Sequence, residues 1–277
     1  MPKILTVDYQ SSNLGSILTT SLKNTGFAVI KNHPISKKLI SNIYSEWENF
    51  FNSKAKHDYL FHPIKQDGYF PYKSENAKGS TIKDLKEFYH IYNWGRYPKE
   101  ISEQTNELIK EFKIMADCLL CEINKNSPES IRNNFSIPLN EMIKKSNENL
   151  LRIIHYPPLK AGEDPNAIRA AAHEDINLIT LLVAGSEAGL QVKGSNQEWV
   201  DVSTSSDYII INIGDMLQEC SNSYYPSTTH RVINPKNSNT SRYSMPFFVH
   251  ARDEVMLSEK HTAKSYLEER LKEIGLK

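Results

Sequence analysis

Cysteine is scarce in this chain: Cys118, Cys121 and Cys220 are the three in 277 residues, an odd number with no metal-like partners beside them. Cys118-Leu119-Leu120-Cys121 has CxxC spacing, but it lies in an apolar, helix-like run and reads as packing rather than as a redox or zinc site. An excess of either charge is also missing. Thirty-three basic and 33 acidic residues give zero formal net charge, so neither a polyanion nor a membrane surface is implied as a partner. No apolar run approaches the roughly 20 residues of a membrane span, and residues 1–8 lack the apolar stretch of a signal peptide, so a cytoplasmic protein is expected. Repeats and low-complexity linkers are absent too, and 277 residues are enough to bury one large core.

What is present divides at about residue 150. Before it, apolar spacing predicts helices over 13–24, 36–51 and 101–124 and a strand over 26–31. Residues 67–80, rich in Gly, aromatics and charge, form a loop of the kind that can cover a pocket mouth, with packing the simpler role for Tyr69 and Tyr72. After it come short β-like runs at 150–156, 170–183, 189–192, 199–202, 208–213, 229–233 and 243–250, broken by Gly, Asn and Pro. This pattern predicts a mainly β fold with α, a double-sheet jelly roll (double-stranded β-helix) with supporting helices. The expected organisation is an α/β region over 1–147 supporting the barrel, a jelly-roll core over 148–252 and a C-terminal helix within 253–277, all in one compact unit. Residues 234–240 read as a hairpin loop.

Nine histidines are present, and His173 is the only one with a carboxylate at i+2, Asp175. On an extended strand i and i+2 share a face, so the pair can grip one side of a metal while Glu174 points away. A lone His-x-Asp is also what a core histidine bonded to a carbonyl would leave. Here, however, the pair stands at the entry of the apolar, β-branched run 176–183, and His230 follows 57 residues after His173. Two imidazoles and one carboxylate match the facial donor set of non-haem iron(II) oxygenases, which leaves coordination positions open for a co-substrate and O2.

Six segments, in order, resemble the isopenicillin N synthase-like family of iron(II), 2-oxoglutarate-dependent dioxygenases. They are the strand at 26–33, Asp84-Leu85-Lys86-Glu87-Phe88-Tyr89 as an acidic-basic helix start, 151–158, 189–192, 212–217 and 227–232. The resemblance implies that His173, Asp175 and His230 hold Fe(II), and that Arg242 and Ser244 anchor the far carboxylate of 2-oxoglutarate. A guanidinium fork suits a carboxylate, and a hydroxyl two residues on shares its strand face. Tyr156 matches the family tyrosine that donates to the same carboxylate, and Ile154 stands where the family carries Asn. The implied reaction is O2-dependent oxidation of a small organic substrate by hydroxylation, desaturation or cyclisation, with release of succinate and CO2. An oxidase of isopenicillin N synthase type, using O2 without 2-oxoglutarate, and a non-catalytic small-molecule-binding barrel are the alternatives.

Overall fold

Period-two alternation in the strands builds two cores back to back. In β10 (Ile209–Ile213), Ile209, Ile211 and Ile213 join one apolar cluster, while Ile210 joins another on the opposite face. The computed structural model describes residues 3–76, 81–183, 185–202, 207–235 and 239–273. It contains twelve strands among these residues, completed by β1 (Thr6–Asp8), β2 (Phe27–Lys31), β3 (Gly68–Phe70), β4 (Glu87–Tyr92), β5 (Leu150–Tyr156), β6 (Ala170–His173), β7 (Ile179–Val183), β8 (Leu190–Lys193), β9 (Trp199–Asp201), β11 (His230–Val232) and β12 (Arg242–Val249). Eight form one sheet in the order β1-β2-β10-β7-β12-β5-β4-β3, and four form a second, β6-β11-β8-β9.

The helices cover the outer face of the large sheet. α1 (Leu14–Thr25), α2 (Lys37–Asn52) and α3 (Gln104–Asn126) bury Leu18, Trp47, Phe112 and Leu119 with Ile211, Met245 and Phe247 in the larger cluster. Gly26 ends α1 in the left-handed region (φ 69°) and donates its N–H to the Leu22 carbonyl, turning the chain directly into β2. The smaller cluster, with Phe27, Phe88, Tyr156, Leu190 and Val232, fills the space between the two sheets. A mainly β, double-sheet fold with supporting helices is therefore what forms. α4 (Glu129–Arg132), α5 (Leu139–Met142), α6 (Asp215–Cys220) and α7 (Ala263–Glu273) complete the described elements. Residues 274–276 of the expected C-terminal helix lie outside the described residues.

Four local expectations are corrected. The run 170–183 is not one strand: β6 belongs to the small sheet and β7 to the large one, and the chain crosses between them at 174–178. Asn177 caps that crossing by donating to the Ile179 carbonyl and Thr180 Oγ1. The segment after His230 is likewise no hairpin, because β11 pairs with β6 and β8 whereas β12 pairs with β5 and β7; residues 236–238 lie outside the described residues. The stretch 84–89 enters β4 rather than a helix, since Phe88 faces one cluster and Tyr89 the other. Finally, the loop at 67–80 contains β3, in which Tyr69 is buried and donates to Glu87; residues 77–80 are not described.

Candidate metal centre and cosubstrate pocket

His173 and His230 are cross-strand partners at the ends of β6 and β11, with ring centroids 4.4 Å apart. Each imidazole donates Nδ1–H to the carbonyl two residues earlier, His173 to Ala171 (2.8 Å) and His230 to Thr228 (3.1 Å). These bonds leave both Nε2 lone pairs free and aimed at one point. Asp175 reaches that point from the crossover, its Oδ1 3.8 Å from each Nε2. The three donor atoms lie within 4.8 Å of one another. Glu174 points outward and accepts a bond from Thr229.

The large sheet holds the carboxylate from behind. Asp175 Oδ2 accepts from Thr180 Oγ1 (2.6 Å, β7) and Asn212 Nδ2 (2.8 Å, β10), which leaves Oδ1 for the metal. Burial alone would raise the Asp175 pKa, but His230, His173 and the two hydrogen bonds outweigh it and hold the acid below its ordinary value. Burial lowers His173 to about 4, and His230 pushes the same way, so at neutral pH its ring is unprotonated and able to ligate. The donor set therefore fits a divalent iron.

A second polar group stands on the inner face of β12 and β5. Arg242 is opposite Tyr156 in register and Ser244 opposite Ile154, so Arg242, Ser244 and Tyr156 share the inner face; all three are buried. Arg242 Nε donates to the Glu187 carbonyl (2.9 Å), its guanidinium lies 5.1 Å from the Tyr156 ring centre, and its Nη1 is buried with no partner among the described residues. A Cβ on Gly185 would lie 2.5 Å from Arg242 Nη2, so a glycine is required for the side chain to lie where it does. A carboxylate bound here would satisfy the unpartnered guanidinium N–H.

A third group of residues, unassigned from sequence, lies about the inner face of β4 and β5. Lys86 sits between Glu75 (2.7 Å) and Asp84 (2.9 Å), while Arg152 stacks 4.5 Å over Phe88 and donates to His90 Nε2 (2.8 Å). Phe61, Phe70 and Phe88 form a ladder with ring centres 4.4 Å apart. Two cations facing two carboxylates make this wall charge-balanced, with an aromatic face. Neither Asn212 nor Arg169 was singled out from sequence. Asn212 had a signal, the one polar residue among four isoleucines; Arg169, before Ala-Ala-Ala-His, had none. Cys118 and Cys121 are half-buried on α3 and, like Cys220, unpaired.

The chain is similar to known proteins over most of its length. Residues 147–251 match the family model for the 2OG-Fe(II) oxygenase superfamily, and residues 5–111 match the model for the non-haem dioxygenase in morphine synthesis N-terminal region. A putative oxygenase from Shewanella oneidensis is 48% identical, with 99% of each chain covered and a TM-score of 0.89. A full-length Neurospora crassa protein, solved in complex with alpha-KG, shares the fold at 22% identity (TM-score 0.80, 96% of this chain and 95% of that one covered). Jasmonate-induced oxygenase 3 of Arabidopsis thaliana is 26% identical over 255 residues, covering 86% of this chain and 67% of its own. Against Jasmonate-induced oxygenase 1 the chain spans 60% of the relative's length.

Proposed function

The chain belongs to the 2OG-Fe(II) oxygenase superfamily, and from that premise we propose that His173, Asp175 and His230 are its iron ligands and that Arg242, Ser244 and Tyr156 hold the far carboxylate of 2-oxoglutarate. The protein is an oxidoreductase, a 2-oxoglutarate/iron(II)-dependent dioxygenase that requires O2. One observation supports the assignment of residues: the three-donor cluster and the buried guanidinium both border the apolar cluster between the two sheets, His230 against Phe27 and Arg242 against Tyr156.

Bound iron with 2-oxoglutarate supplies the oxidising chemistry, and the chain's own residues supply position. The carbonyls of Ala171 and Thr228 fix both imidazole tautomers, and Thr180 with Asn212 fixes the carboxylate, so no ligand has to reorganise on metal binding. Tyr156, Leu190 and Val232 belong to the apolar cluster that borders the site and keep water from it. The substrate is a small organic molecule that lies against the wall of Lys86, Arg152 and Phe88. Cys118, Cys121 and Cys220, all unpaired, are in keeping with a cytoplasmic location. An oxidase that dispenses with 2-oxoglutarate and a non-catalytic barrel are not favoured, because relatives such as citB of Monascus ruber are 2-oxoglutarate-dependent dioxygenases.

The test is iron-dependent conversion of 2-oxoglutarate to succinate by the purified protein in air. Conversion that stops with His173→Ala, and needs far more 2-oxoglutarate with Arg242→Ala, is the expected result. Turnover that survives His173→Ala would remove the site, and O2 uptake without succinate would return the oxidase reading.

A further inference from the structure

Arg242 has a neighbour that neither the motif nor the family resemblance assigns. Arg169, just before β6, is as buried as Arg242, and the two are among the largest fully buried side chains in the protein. Both guanidiniums lie over the Tyr156 ring, Arg169 at 5.9 Å and Arg242 at 5.1 Å from its centre. Arg169 Nη2 donates to the Thr240 carbonyl (2.5 Å), while its Nε, like Arg242 Nη1, is buried with no hydrogen-bond partner among the described residues. Among the described residues neither forms an ion pair, and Glu187, whose charge favours the Arg169 cation, is exposed. Burial, with Arg242 adding repulsion, lowers the Arg169 pKa below the ordinary guanidinium value. Two buried like charges sharing one aromatic ring, each with an unused N–H, cost stability unless an anion occupies the space between them.

We propose that Arg169 is a second cationic anchor for the distal carboxylate of the keto acid, so that the pocket selects dicarboxylic over monocarboxylic keto acids by two guanidiniums and not one. The inference rests on the reading of Arg242 and Tyr156 as the cosubstrate end of the site. Arg242 approaches from β12 in the large sheet and Arg169 from the start of β6 in the small one, so the carboxylate lies where the sheets meet. One oxygen then meets Arg242, and the other meets Arg169 and the Tyr156 phenol. A keto acid of the same length ending in a methyl group would leave both guanidiniums unpaired, the situation in which recognition is steepest.

The experiment is an anaerobic titration of the full chain, loaded with Fe(II), by 2-oxoglutarate and separately by 2-oxovalerate, following the visible charge-transfer band of the chelated keto acid. Arg169→Gln keeps a donor for the Thr240 carbonyl and removes the charge; Arg169→Lys keeps the charge. For Arg169→Gln, half-saturation by 2-oxoglutarate should rise about tenfold or more while that by 2-oxovalerate stays within about twofold, and Arg169→Lys should recover part of the loss. Iron content should not change. An unchanged 2-oxoglutarate titration in Arg169→Gln overturns the proposal, and so does an equal shift for both keto acids, which would make Arg169 a strut for β12. If Arg169→Gln does not fold, Arg169→Lys decides: it must weaken 2-oxoglutarate selectively, and a wild-type titration would overturn the proposal. Absence of the band in the iron-loaded wild type overturns the 2-oxoglutarate reading itself, a result separate from any behaviour of the variants.

Discussion

The two faces of the eight-stranded sheet are made from the same strands and do different work. On the helix side, Ile211, Leu181, Met245, Phe247 and Ile153 are at most 1% exposed and belong to the larger apolar cluster. On the other side, at the intervening positions of the same strands, stand Asn212, Thr180, Ser244, Arg242 and Arg152. Burial of the first set supplies folding energy, at about 25 cal/mol per Å2 of apolar surface. The second set spends some of that stability on polar groups whose partners include ligands. Parity along a strand therefore separates residues whose loss should unfold the protein from residues whose loss should leave it folded and inactive.

Substitutions on either side test that separation. The largest effect is expected from Asp175→Ala, which should abolish iron binding and turnover while the circular dichroism spectrum stays native; a variant that unfolds instead would tie the metal-side face to folding and break the comparison. Phe247→Ala, which loses its stack on Phe112 (5.4 Å), should cost ~3–5 kcal/mol in urea unfolding yet leave the iron dissociation constant of the folded protein alone. Smaller is the effect of acid on His250, which follows the last residue of β12. Burial holds its pKa at about 4 against 6.5 when unfolded. The unfolded chain then takes up a proton that the native state refuses, so no penalty exists above pH 6.5, it grows as pH falls, and it levels off below pH 4 at up to ~3 kcal/mol. Unfolding curves of His250→Asn should lack that component. Asn212→Ala, which strips one bond from Asp175, should weaken iron binding about 10–100-fold with little loss of stability, as read by iron competition with a chelator.

Much of this organisation could be read from residue order. The isoleucines of β10 announce a strand buried on both faces, and the residue types at 173, 175 and 230 mark the three side chains that the fold brings together as a candidate metal site. The sheet change between His173 and Ile179 could not be read, because the apolar run after Asp175 looks the same whether the strand continues or the chain crosses to a new partner. Strand partnership is a long-range choice, and for the same reason the turn-rich stretch after Val232 looked like a hairpin. Glu87 misled in a different way. With Lys86 and Asp84 it gives a helix-like charge pattern, whereas in the fold it pairs behind β4 with His155 (2.7 Å) and Lys56 (2.9 Å), partners 68 and 31 residues away. Arg169 was silent because a guanidinium in sequence looks like surface, and only the closed fold reveals how little water reaches it.

The crossing at 174–178 would also give a metal held at the proposed site a mechanical role. His173 and His230 belong to the small sheet, whereas Asp175 is gripped by Thr180 and Asn212 of the large one. An ion held by all three is a rivet through the seam of the sandwich. Loading it draws on mass action alone and adds about 2.7 kcal/mol of resistance to unfolding when free iron reaches a hundred times its dissociation constant. Starved of iron, the sandwich would lose that link between its sheets, so metal supply would set both the rate of the reaction and the lifetime of the enzyme.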